Sequence, residues 1–152
     1  MYNLIIVDDE EEIRQALGNY IPWEELGFRM IGLAKNGKEA LKFIQKHKVD
    51  VILCDIKMPK MNGIELAEII YRQKIKTKVV FLSAYEDFNY AKKAIIYGVE
   101  DYIVKPTKYQ ELMEVFTKLK VTLNKETSQI PKENQEGDKA YKRWRCKFWC
   151  IF

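Results

Sequence analysis

The chain has 152 residues, 47% hydrophobic and 32% charged, with a formal net charge of +4. That length suits one domain with a real core rather than two ordinary ones. Residues 1–125 carry 20 basic and 18 acidic side chains and residues 126–152 carry six and four, so the body offers no general nucleic-acid surface; no apolar run approaches the roughly 20 residues a membrane span needs.

Leu4-Ile5-Ile6-Val7 is a short apolar run that ends in two carboxylates, Asp8 and Asp9. Helical periodicity begins at Glu10 and runs through Leu17, and Asp9 with Glu12 has the spacing of a capping box. Ile21-Pro22-Trp23 breaks that helix, and Trp23 to Gly27 reads as an irregular link. Arg29 to Ala34 is a weaker, more alternating strand. Asn36 and Glu39 stand in box spacing before a helix whose apolar side is Ala40, Leu41 and Ile44. Val51 to Cys54 is the central run; its unbroken apolar character fits a strand buried on both faces. It ends in Asp55, and Pro59 with Met61-Asn62-Gly63 opens a loop.

Asn62 and Glu65 repeat the cap pattern before a helix that buries Ile64, Leu66, Ala67, Ile69 and Ile70. Val79 to Leu82 is the next strand, ending in Ser83-Ala84. Phe88, Ala91, Ala94 and Ile95 mark the apolar side of a helix closed by Gly98. Tyr102-Ile103-Val104 leads directly into Lys105-Pro106. Thr107 to Gln110 caps a last helix with Leu112, Met113, Val115, Phe116 and Leu119 on its apolar face. Five strand–helix pairs in strict alternation give an α/β, doubly wound five-stranded parallel sheet covered by helices on both faces. The strand order is taken by analogy: 2-1-3-4-5 is one of the two common arrangements.

Four strands thereby deliver polar residues to one carboxyl edge, where open α/β sheets place their ligands. These are Asp8 and Asp9, Asp55, Ser83 and Lys105. Three carboxylates together repel one another unless a cation joins them, and Mg²⁺ suits all-oxygen ligands while leaving room for a phosphoryl group. Lys105 offers a point charge for a phosphate oxygen and Ser83 a hydroxyl. Asp55 is the candidate nucleophile, since carboxylates form acyl phosphates. The Lys105–Pro106 bond is expected to be cis, because Lys105 must aim back into the acidic pocket while the chain turns at once into the last helix. A salt-bridged acidic cluster that only stabilises loops is the plainer alternative.

At these residues the sequence resembles the receiver domain of two-component response regulators, with its flavodoxin-like fold. The matching pieces are Ile6-Val7-Asp8-Asp9-Glu10, Asp55-Ile56-Lys57-Met58-Pro59-Lys60-Met61-Asn62-Gly63, Leu82-Ser83-Ala84 and Asp101-Tyr102-Ile103-Val104-Lys105-Pro106. The resemblance implies that Asp55 accepts a phosphoryl group from a sensor histidine kinase. Asp8, Asp9, Asp55 and the backbone carbonyl of Lys57 would serve Mg²⁺. Ser83, Ala84 and Lys105 would meet the phosphoryl group, with Ser83 and Tyr102 as a hydroxyl–aromatic switch. That switch would alter the face carrying Tyr90, Ile96, Tyr97 and Tyr109 and promote a homodimer on phosphorylation. The Trp23–Phe28 link and Ser83–Phe88 look like the receivers that precede AraC-type DNA-binding domains, which implies control of transcription. The runner-up is an Mg²⁺-dependent phosphatase with Asp55 as nucleophile; many such enzymes carry a second aspartate where this chain has Lys57.

The receiver is expected to occupy residues 1–123, with residues 124–152 a polar linker and a basic, aromatic tail of poor order. An AraC-type output would need on the order of a hundred further residues, so DNA would be met only through an output domain missing here. The tail, Lys139 to Phe152, could meet an anionic membrane, meet nucleic acid, or be an arbitrary end left by truncation or a shifted frame. Cys146 and Cys150 lack the further ligands of a zinc site, and His47 reads as a solvated residue at a helix end. Met1-Tyr2-Asn3 has no basic leader region and Cys54, Cys146 and Cys150 make no disulfide framework. A cytoplasmic protein without a transmembrane segment is expected, acting as a switch and not as an enzyme.

Overall fold

A computed structural model describes residues 1–84 and 87–128. Strand β1 (Tyr2–Val7) is followed by α1 (Glu11–Tyr20), β2 (Phe28–Ala34), α2 (Gly37–Lys46), β3 (Val51–Cys54) and α3 (Gly63–Arg72); β4 (Lys78–Ser83), α4 (Phe88–Ile96), β5 (Asp101–Val104) and α5 (Tyr109–Ser128) complete the order. All pairings are parallel and the sheet order is β2-β1-β3-β4-β5, as the alternation and the borrowed order lead one to expect.

Period-two alternation explains how a short apolar run serves two cores at once. Ile5, Val7, Ile52, Cys54, Val79 and Phe81 face the cluster built with α2, α3 and α4. Leu4, Ile6, Val51, Leu53, Val80 and Leu82 face the other side, where Trp23, Phe28 and the α5 residues Leu112, Phe116 and Leu119 pack. Phe116 meets Trp23 and Phe28 edge-on, with ring centroids 4.8 and 5.3 Å apart, the geometry aromatic quadrupoles favour. The Trp23 indole also donates to the Leu17 carbonyl at 2.9 Å, tying the link after α1 to that helix.

Local chemistry sets most of the helix ends. Asn36 and Asn62 accept from the backbone N–H of Glu39 and Glu65 at 2.9 and 2.8 Å, as their spacing predicts. Gly98, at φ 66°, closes α4 with Val99 N–H donating to Ala94 and Gly98 N–H to Ile95, the paired bonds of a Schellman end. Three expectations fail. Asp9 is not a cap: α1 starts at Glu11, so the cap position falls on Glu10, which makes no side-chain cap bond; Asp8 instead accepts the Glu10 N–H, at 2.9 Å. Phe88 is not in the core but 73% exposed; it is the first residue of α4, capped by Asp87. Thr107 meets α5 through its hydroxyl, which donates to the Glu111 carboxylate at 3.2 Å, rather than by accepting a backbone N–H.

Helix α5 continues through Ser128, five residues past the boundary placed at 123. Its last turns are held at the amino edge of the sheet. Tyr2, at the start of β1, donates to Asn124 at 2.6 Å, and Lys78, at the start of β4, pairs with Glu126 at 2.7 Å and Glu100 at 3.3 Å. Residues 129–152, on which the expected basic aromatic tail and most of the expected linker fall, lie outside the described residues. Among the described residues no helix is long and apolar enough to cross a membrane.

Candidate phosphoryl-acceptor and cation site

Sheet register brings the site together. Val7 pairs with Cys54, so Asp8 and Asp55 leave adjacent strands side by side, and Asp55 N–H still donates to Val7 O at 2.9 Å. The two carboxylates are nearly buried, 2% and 8% exposed. Lys105, at the end of β5, reaches across the edge to both: its Nζ is 3.0 Å from Asp8 Oδ2 and 3.7 Å from Asp55 Oδ2. The Lys105–Pro106 peptide bond is cis, the geometry expected for it.

Asp55 is held at Oδ1 by the N–H of Ile56, 2.7 Å away. Burial raises its pKa from 3.8 to about 6; the Asp8 and Asp9 charges push the same way, while Lys105 and the Ile56 N–H pull it down. With that value the carboxylate is still mostly ionised at neutral pH, as a nucleophile must be. The loop beyond it is tightly seated. Gly63 N–H donates to Ile56 O at 2.8 Å, and a Cβ on Gly63 would run into the Asp55 carbonyl, so only glycine fits there. Burial, then the nearby Asp55 and Asp8 charges, raise the Cys54 thiol well above its ordinary value, which makes it an inert core residue.

At the end of β1, Asp8 also belongs to a second cluster, with Asp9 and Glu10, that does not include Asp55. Oxygens of Asp8, Asp9 and Glu10 all lie within 4.8 Å of one another, with Asp9 and Glu10 exposed. Hard oxygen donors at that spacing fit Mg²⁺, which keeps several waters and uses few protein ligands. Glu10 was not anticipated as a member; its only sequence signal is its place directly after two aspartates. Lys57 follows Asp55 by two residues with its side chain exposed, and Ala84 is exposed directly after Ser83.

Ser83 is fully buried at the end of β4 and Tyr102 is 3% exposed on β5. The Tyr102 ring is already turned inward, against Phe81 at 6.1 Å, and its phenol shares a hydrogen bond with the Ser83 side chain. Burial raises that phenol to about 12, with the Ser83 bond acting against it. On the neighbouring surface Tyr90 and Tyr97 are half-buried, whereas Ile96 and Tyr109 are 52% and 47% exposed. Tyr97 leans on Tyr71 with centroids 5.9 Å apart. His47, exposed at the end of α2, lies against Phe43 and takes no part in the site.

A family model described as the response regulator receiver domain matches residues 4–117. The transcriptional regulatory protein HptR of Staphylococcus aureus is 39% identical over 129 residues, 85% of this chain and 50% of its own length. An uncharacterized response regulatory protein of Staphylococcus epidermidis is 37% identical over 115 residues, 76% of this chain and 45% of its own. The chain thus spans about half the length of the curated relatives it matches. Among solved structures, the receiver domain of AraT from Geobacillus stearothermophilus aligns at TM-score 0.76 and 35% identity, covering 83% of this chain and 98% of that one. TrrA of Thermotoga maritima, solved in complex with Mg²⁺-BeF, aligns at TM-score 0.68 and 33% identity, covering 78% and 99%.

Proposed function

The chain belongs to the response regulator receiver domain family, and from that premise we propose that Asp55 is the acceptor of a phosphoryl group passed on by a sensor histidine kinase. An Asp55 carboxylate oxygen attacks phosphorus, the bond from phosphorus to the donor's imidazole nitrogen breaks, and an acyl phosphate remains on the protein. The observation that carries this reading is the meeting of Asp8, Asp55 and Lys105 within 3.0 and 3.7 Å at one sheet edge. Asp8, Asp9, Asp55 and the Lys57 carbonyl would hold Mg²⁺, which supplies charge neutralisation for the transferring group; Glu10 adds a further oxygen. Lys105, already within reach of both buried carboxylates, would take a phosphate oxygen, assisted by the Ser83 hydroxyl and the Ala84 backbone.

Output on this reading is a change at α4, β5 and α5. The Ser83–Tyr102 pair is the two-state element, a local charge at Asp55 biasing which contacts its hydroxyls make. Because Tyr102 already sits inward beside Ser83, phosphorylation would lock an arrangement the fold can adopt rather than create one. The consequence proposed is self-association through the face of Tyr90, Ile96, Tyr97 and Tyr109, with control of transcription through an output domain of AraC type, in the cytoplasm. The receiver itself is a switch and not a catalyst of turnover on other molecules.

Incubation with acetyl phosphate and Mg²⁺, followed by intact mass, tests this. One phosphoryl adduct on the protein, absent from Asp55→Asn, is expected. No adduct, an adduct that persists in Asp55→Asn, or repeated turnover of a phosphoester would overturn it, the last in favour of a phosphatase.

A further inference from the structure

Every polar group of Asp8 has a partner. Its N–H donates to Ala34 O at 3.1 Å, Oδ1 accepts from Glu10 N–H at 2.9 Å and Oδ2 from Lys105 at 3.0 Å. Its main-chain carbonyl accepts from Arg14 Nη1 at 2.7 Å. The last contact is informative for what it leaves aside. Arg14 rests on the backbone of the first of three clustered carboxylates, yet among the described residues it forms no ion pair within 4.0 Å. A guanidinium usually takes a carboxylate two-handed where one is offered; here it takes a carbonyl.

The placement has a structural consequence. Helix α1 begins without a side-chain cap, and the turn out of β1 is held by the Asp8 carboxylate on the Glu10 N–H together with Arg14. Arg14 closes that junction from the second turn: its side chain holds Asp8 O, and its backbone N–H donates to Glu10 O at 3.0 Å. Between those two anchors lie the side chains of Asp9 and Glu10, both exposed.

We infer that Arg14 is a positioning residue for the cation site. It struts the Asp8–Glu10 turn so that oxygens of the three carboxylates stay within 4.8 Å of one another, and by bonding a carbonyl it puts no guanidinium on the oxygens a metal would use. The inference rests on the receiver reading for the identity of that metal as Mg²⁺. It makes a prediction of sign. By Coulomb's law alone a guanidinium beside the site repels a dication, so its removal should tighten binding; a strut predicts the opposite.

The full chain and its Arg14→Met and Arg14→Lys variants would be titrated with MgCl₂ by calorimetry. Amide exchange of the metal-free proteins in EDTA, read by mass spectrometry, and thermal melts would accompany it. Arg14→Met is expected to weaken Mg²⁺ binding by about tenfold, the lower end of what loss of an outer-shell partner brings. Exchange at residues 9–11 should quicken before any metal is added. Arg14→Lys, which keeps a donor for the carbonyl, should recover most of both. Equal or tighter binding by Arg14→Met, or unchanged exchange in the turn, overturns the inference while the receiver reading stands. Wild-type protein that takes up no Mg²⁺ overturns both. Should Arg14→Met fail to fold, the milder Arg14→Gln carries the same comparison.

Discussion

Asp55→Asn should stabilise the metal-free protein, and by an amount that depends on pH. Burial and the Asp8 and Asp9 charges raise the folded-state pKa from 3.8 to about 6, a shift of about two units, or roughly 3 kcal/mol at 1.36 kcal/mol per unit. The sign follows from proton binding. Between about pH 3.8 and 6 the folded protein holds a proton on Asp55 that the unfolded chain has released, so stability falls as pH rises through that window. Above it the buried carboxylate costs its full amount; below it the cost is absent. Asparagine keeps an oxygen for the Ile56 N–H, now 2.7 Å from Oδ1, without the charge. Urea unfolding in EDTA at pH 4, 5, 6 and 7.5 would measure the difference. The gain should approach roughly 3 kcal/mol at pH 7.5 as an upper figure and shrink toward zero at pH 4. A variant less stable than wild type at pH 7.5, or a gain that does not vary with pH, would show that burial of this charge is not the dominant effect.

Asp9→Ala removes an exposed member of a mutually repelling cluster, so Mg²⁺ binding and Asp55 phosphorylation should be lost while the thermal midpoint stays or rises; a lost native transition in melting would contradict this. Gly63→Ala drives a methyl group into the Asp55 carbonyl and should cost about 1–3 kcal/mol, the usual range for overpacking, together with slower phosphorylation; wild-type urea stability would refute it. Mg²⁺ affinity should weaken as pH falls through about 6, where Asp55 takes up a proton; calorimetry showing constant affinity from pH 7.5 to 5 would remove Asp55 from the metal's ligands. Beryllofluoride with Mg²⁺ should shift sedimentation toward a dimer, and substituting exposed Ile96 by Glu should reverse it; an unchanged monomer would separate the aromatic face from output.

What was readable in the chain divides by range of interaction. The strands announced themselves because parallel strands buried on both faces need unbroken apolar runs, and Val51–Cys54 is buried at all four positions. Asn36 and Asn62 were readable because a cap and its partner lie three residues apart. The same spacing misled at Asp9, since the helix starts one residue later than that spacing implies and the cap position falls on Glu10. Phe88 fits the apolar stripe by angle alone, and angle does not say where a helix begins relative to the core beneath it. Likewise the end of α5 is polar in sequence, and what fixes it are contacts from residues 48 and 122 positions away. In the site, strand-end residues were legible as a class, whereas Arg14 was not, because its partner is a carbonyl and carbonyls leave no mark in a sequence.

Helix α5 sets a distance that any output must respect. It starts next to the cis-Pro106 corner at the acidic edge and, with 20 residues, runs about 30 Å to the opposite edge. There Tyr2 and Lys78 grip its last turns. Ser128 therefore stands at the edge of the sheet opposite Asp55, and the last turn of α5 lies well beyond the roughly 8 Å over which a surface charge is felt at physiological ionic strength. On the proposed reading, news of a phosphoryl group at Asp55 would arrive there as mechanics: a tilt, slide or release of one rod whose far end is clamped by an ammonium and a phenol. A chain built this way would separate where charge is written from where it is read.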